Sequence, residues 1–113
     1  MAITFTTSDP VGLLKTFKKA IDDGHVVTWI YDKDGDFTHN TDQWRYQAWL
    51  RPTIQVDRLV MTIIPRKDRS VTKAVYGVYH GRFIESLLTH CDELFSNAFA
   101  SAMPAVGDIV IAA

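Results

Sequence analysis

Tyr79-His80-Gly81-Arg82 is the segment of this 113-residue chain whose residue types come closest to a chemical site. Read as the junction of a strand and a helix, it offers free backbone N–H groups, which attract anions. Gly81 allows close approach of a ligand. Arg82 is the residue type that clamps a carboxylate or phosphate, and His80 can donate or shuttle a proton. Arg51 and Trp49 complete the candidate ligand-binding set if they fall on the same side of a sheet. The competing reading is structural: His80 caps the helix, Gly81 eases the turn, and Arg82 pairs with Glu85 or Ser86.

A second constellation is Trp44-Arg45-Tyr46, then Trp49-Leu50-Arg51, with Arg66, Lys67 and Arg69 further on. Aromatics interleaved with arginine can stack bases and follow a phosphate chain. Trp and Arg also mark protein interfaces. Trp44, Tyr46, Trp49 and Arg51 are therefore candidate interface residues.

Other chemistry finds no pattern. Asp32–Asp36 (DKDGD) resembles a calcium loop in composition, but Gly35 is fourth rather than sixth, and Gln43 stands where the bidentate Glu belongs. A hairpin turn is the better reading. His25, His39, His80 and His90 contain no i, i+4 pair for zinc, so no metal is expected. Cys91, the single cysteine, falls on an apolar stripe and reads as a buried structural residue. There is no Gly-x-Ser-x-Gly elbow, dinucleotide fingerprint or phosphate loop, and no cofactor is expected.

The elements that would position these residues follow from periodicity. Residues 10–23 read as a helix: Asp9 can cap it, Pro10 suits the first turn, and Leu13, Leu14, Phe17, Ala20 and Ile21 form a stripe. Residues 25–31 read as a strand, returned by a turn at Asp34-Gly35. Residues 41–50 fit a helix or a strand, with extended structure favoured from Ala48 to Val56 and Pro52 marking an edge or bulge. Residues 58–64 and 71–79 read as strands and 81–96 as a second helix. The small-residue run 98–107 reads as a tail, and 108–112 as a short added strand or a pairing segment for another chain. The expected fold is α+β: one domain over 1–113, a four-stranded antiparallel meander between an N-terminal and a C-terminal helix, both packed on one sheet face.

Size and charge bound the function. A mass of 12.8 kDa implies a folded surface of roughly 6,300 Å², enough for a core without disulfides. No apolar run spans a membrane, and the first residues carry no secretory pattern, so a cytoplasmic protein is expected. The net charge of −1 hides blocks: residues 1–42 carry −3, residues 43–82 carry +6, and residues 83–113 carry −4. The basic middle can pair with the acidic ends within the fold or across a dimer, or face an anionic partner.

The leading expectation is a non-enzymatic interaction or regulatory domain. It would act as a homo-oligomer or with a protein partner, through a Trp/Arg-rich sheet face. The alternatives are a small-anion pocket or modest acid–base enzyme at the start of the second helix, and single-stranded nucleic-acid binding. Acidic flanks weigh against the last.

Overall fold

The computed structural model describes residues 3–111. The chain runs β1 (Ile3–Thr6), α1 (Pro10–Asp22), β2 (Trp29–Tyr31), β3 (Phe37–His39), β4 (Ala48–Ile54), β5 (Arg58–Pro65), α2 (Lys73–His90) and β6 (Asn97–Ala100). A short 3-10 turn at Asp92–Leu94 precedes β6. The six strands form one antiparallel sheet in the order β2-β3-β4-β5-β1-β6. The fold is α+β with an antiparallel sheet and two helices, as expected. The sheet has six strands rather than four: β2 to β5 form the meander, and β1 and β6 extend it beyond β5.

α1 forms where the sequence places it. The Asp9 side chain accepts from the Gly12 N–H at 3.0 Å, and Pro10 opens the first turn. After the helix, the N–H groups of His25 and Val26 both donate to the Ala20 carbonyl. That wrap keeps residues 25–28 out of the sheet and shortens the expected strand to Trp29–Tyr31. The Asp32 carboxylate then accepts from the Asp34 and Asp36 N–H groups, and Gly35 adopts φ 84°, which suits glycine. The result is a hairpin, with Tyr31 paired to Phe37.

Residues 41–47 resolve as turns, and the extended run starts at Ala48. Pro52 lies beyond the pairing of β3 with β4, where β4 has only β5 beside it. Its missing N–H therefore costs no ladder bond.

The reading of 71–79 as a strand is corrected. Thr72 caps a helix by accepting from the Val75 N–H at 3.1 Å, and the helix runs unbroken to His90. Val75, Tyr79, Phe83 and Leu87 recur every four residues and are all buried. Over 71–79 alone, the same residues also alternate, so a period of two and a period of four coincide. The helix also ends at His90 rather than near 96, where the Cys91 N–H closes onto the Leu87 carbonyl.

Both helices pack on one sheet face. Phe83 of α2 meets Phe5, Trp29 and Phe37 of the sheet and Phe17 of α1, with ring centroids 5.0–6.1 Å apart. Ile3, Phe5, Leu50, Leu59, Met61 and Ile63 complete this core. The accessible surface is 6471 Å², close to the size-based expectation. No helix among the described residues is long and apolar enough to cross a membrane.

After β6 the chain turns back as an arm over 101–111. The Tyr76 hydroxyl donates to the Ser101 carbonyl, the Ile109 N–H donates to Ile63, and the Val71 N–H donates to Val110. The Ile63 N–H in turn donates to the Asp108 carboxylate at 2.9 Å. The segment expected as an added strand therefore docks on the end of β5 without forming one, and residues 112 and 113 lie outside the described part.

Candidate functional site

Alternation along β4 decides what faces what. Ala48 and Leu50 point into the helix-covered core and are fully buried. Trp49 and Arg51 therefore point to the opposite face. Tyr46 joins them there: its ring stacks on Trp49 at 6.2 Å with 22° between planes. Tyr46 is 51% exposed and holds φ 63°, a left-handed conformation that a non-glycine residue adopts at a cost of about 1–2 kcal/mol.

A hydrogen-bond chain holds that strained turn. The Tyr46 N–H donates to the Thr38 hydroxyl, which stands 3.0 Å from the Tyr79 hydroxyl, and Tyr79 donates to the Trp44 carbonyl. With Tyr79 giving its proton to Trp44, the Thr38 hydroxyl donates to Tyr79. Burial pushes the Tyr79 phenol above its ordinary value, so it stays protonated. The turn over Trp44–Tyr46 is thus tied to α2 through the sheet. Trp44 itself packs against the core. Of the four expected interface residues, Tyr46, Trp49 and Arg51 share an exposed face and Trp44 does not.

Arg51 is committed. Its Nε and Nη2 donate to the two oxygens of Asp36 at 3.1 and 2.9 Å. That carboxylate is buried and sits on the residue just before β3. The fork ties β4 to the hairpin and occupies the guanidinium that an anion would need.

His80 and Arg82 do not form the expected helix-start pocket. The helix begins at Lys73, so the amides of residues 80–82 lie in its interior, where helical hydrogen bonds use them. His80 is buried at 4% exposure and Arg82 is exposed. Two positions apart on a helix, they point in divergent directions. Both also lie across the sheet from Trp49 and Arg51. The four expected ligand residues are therefore not brought together.

His80 has its own setting. Its Nδ1 lies 2.6 Å from the Tyr76 carbonyl, and its ring stacks on Tyr76 at 3.8 Å. A carbonyl has no proton to give, so Nδ1 carries the proton. Burial holds the His80 pKa below its ordinary value, which keeps the ring neutral near pH 7. Nε2 then carries a lone pair, and it has no hydrogen-bond partner among the described residues. His80 lines a cleft of about 750 Å³ between α2 and the arm.

His39 has the same wiring, with Nδ1 at 2.7 Å from the Thr28 carbonyl, burial lowering its pKa and Nε2 without a hydrogen-bond partner among the described residues. Its ring lies against Trp29, with centroids 4.6 Å apart and the planes tilted by 32°. Burial pushes the Cys91 thiol up to about 11, which suits a structural residue rather than a nucleophile.

The surface that sequence reasoning missed is at the far end of the sheet. β6 is an outer strand, and Phe99 on it is 53% exposed. Met103, Val106, Ile109 and Ile111 of the arm are exposed as well. Residues 94–107 contain no charge. That uncharged run was the available signal, and small residues disguised it as a tail.

Comparison with protein-family models, with curated proteins and with solved structures gives no match for this chain.

Proposed function

We propose that this chain is an interaction domain that pairs with a second copy of itself along the β6 edge. One observation carries the reading: an outer strand with no charged residue and an exposed Phe99 leads into an arm that carries no charge before Asp108 and also shows apolar side chains to solvent. Outer strands are ordinarily shielded by charge, proline or cover, because their free N–H and C=O groups pair readily with another chain. Antiparallel pairing of β6 with its own copy needs one surface only, and gives a two-fold dimer.

Charge supports the choice of partner. The ion pairs among the described residues are local or join the basic middle to the N-terminal block: Lys19–Asp23, Arg45–Asp42, Arg51–Asp36, Arg58–Asp57 and Arg66–Asp68. None reaches the acidic block of 83–113. A second copy supplies a basic block to complement it. The Tyr46–Trp49 stack and Phe99 both lie on the sheet face away from the helices, with β5 and β1 between them. The nucleic-acid reading loses ground, because Arg45, Arg51, Arg58 and Arg66 are each held by an aspartate.

The test is a charge on the edge. Phe99→Lys places an ammonium on β6 without touching the core. Sedimentation velocity over a concentration series should show a dimer for the wild type and a monomer for the variant, with thermal stability of the monomer unchanged. A wild-type chain that stays monomeric throughout the series would refute the proposal.

A further inference from the structure

The cleft between α2 and the arm is not used by the pairing proposed above. Its volume of about 750 Å³ falls within the range of pockets that hold small organic molecules. Its walls are mostly apolar: Val71, Ile84, Met103, Pro104 and Val110 contribute. The Tyr76 hydroxyl, which also borders it, is engaged with Ser101.

Two features show that the cleft is more than a gap between elements. Gly77 and Gly81 stand four residues apart on the same helix face, and a Cβ built on either meets nothing within 4 Å. Glycine is among the poorest helix formers, so two of them facing open space keep room that ordinary helix residues would fill. The other feature is His80. Its Nδ1–H is fixed on the Tyr76 carbonyl, and its buried Nε2 lone pair lacks a partner among the described residues. A buried acceptor left unmatched is costly, and its natural complement is a donor brought by a ligand.

We propose that this cleft binds a small, mostly apolar molecule carrying one hydroxyl group, a phenol or an alcohol, whose O–H donates to His80 Nε2. The chemistry selects a neutral proton donor, and a hydroxyl is the simplest one a mostly apolar molecule carries. A carboxylate would set its negative charge against a nitrogen lone pair, and an ether would bring no proton. The arm forms the outer wall, held by bonds to Tyr76, Ile63 and Val71, and because Nε2 is closed to solvent, seating the ligand requires a small local opening.

Three matched probes test the proposal on the full chain by calorimetric titration: 2-naphthol, 2-methoxynaphthalene and 2-naphthoate. 2-Naphthol should bind at least about tenfold more tightly than either of the others, the factor that one satisfied hydrogen bond to a buried acceptor commonly gives. His80→Phe should bring the phenol and the ether to equal affinity. Should His80→Phe fail to fold, Gly77→Leu with Gly81→Leu provides the second test. It fills the cleft, strengthens the helix, and should abolish binding of 2-naphthol without lowering the melting temperature. Equal binding of phenol and ether by the wild type, no binding of any probe, or unchanged binding in the filled variant would each overturn the proposal. These readouts are affinities, so they stand or fall separately from the oligomeric state.

Discussion

The two outer strands of this sheet are built in opposite ways. β2, at one edge, is three residues long and is surrounded by charge. Lys18 lies 5.2 Å over the Tyr31 ring, the Tyr31 hydroxyl donates to Asp22 at 2.7 Å, and the acidic Asp32–Asp36 turn follows directly. β6, at the other edge, has no charged residue and continues into an arm that carries no charge before Asp108. Both edges are short, but only the first carries the charge by which proteins prevent strand addition. One sheet with one guarded edge and one open edge can pair once and then stop, which gives a dimer rather than a fibre.

The largest expected effect separates core from edge. Phe83→Ala removes the α2 ring that touches α1 and the sheet, and should cost about 3–5 kcal/mol in chemical denaturation. Phe99→Lys should leave the unfolding free energy of the monomer within about 0.5 kcal/mol of wild type. A large loss of monomer stability from Phe99→Lys would place β6 in the core and end the comparison.

Thr38→Val probes how the guarded end holds the Tyr46–Trp49 stack. It removes the hydroxyl between the Tyr46 N–H and Tyr79, and should cost about 1–3 kcal/mol. It should also loosen the left-handed turn, seen as loss of the Tyr46 amide resonance from its folded position. Stability within about 0.5 kcal/mol of wild type would show that the relay does not hold the turn.

The smallest effect expected is a pH dependence that reaches both ends of the molecule. Burial holds His39 and His80 below the ordinary histidine value of 6.5. As pH falls through about 6.5, the unfolded chain takes up protons that the folded chain does not, so stability is lost on acidification. Above that pH the contribution is fully present. The melting temperature should therefore drop between about pH 7.5 and pH 5.5, and His80→Phe should flatten the drop in part. A melting temperature constant over that range would contradict the burial of both rings.

What the sequence revealed, and what it hid, follows local versus shared signals. α1 was legible because Asp9, Pro10 and the Leu13–Phe17 stripe all speak for one element. The hairpin was legible because Asp34-Gly35 fixes a turn. Extended structure from Ala48 was legible through alternation, and Pro52 falls on the stretch of β4 that β3 does not pair, although β4 is not an edge strand. The start of α2 was not, because Val75 and Tyr79 satisfy both strand and helix spacing until Phe83 and Leu87 are counted with them. That one misplacement moved His80 and Arg82 to an imagined helix start. β1 and β6 were hidden because each is short and becomes a strand only beside β5 and β1. The buried Nε2 of His80 depends on the arm, the helix and the sheet together, and no local pattern announces it.

Hydrogen–deuterium exchange, read on the two outer strands at low and high protein concentration, tests the central claim most directly. The account predicts that the outward N–H groups of β6 gain protection as concentration rises and lose it in Phe99→Lys, while those of β2 exchange at the same rate throughout. If β6 exchanges as fast as β2 at every concentration, the open edge is not a pairing surface and the account is wrong.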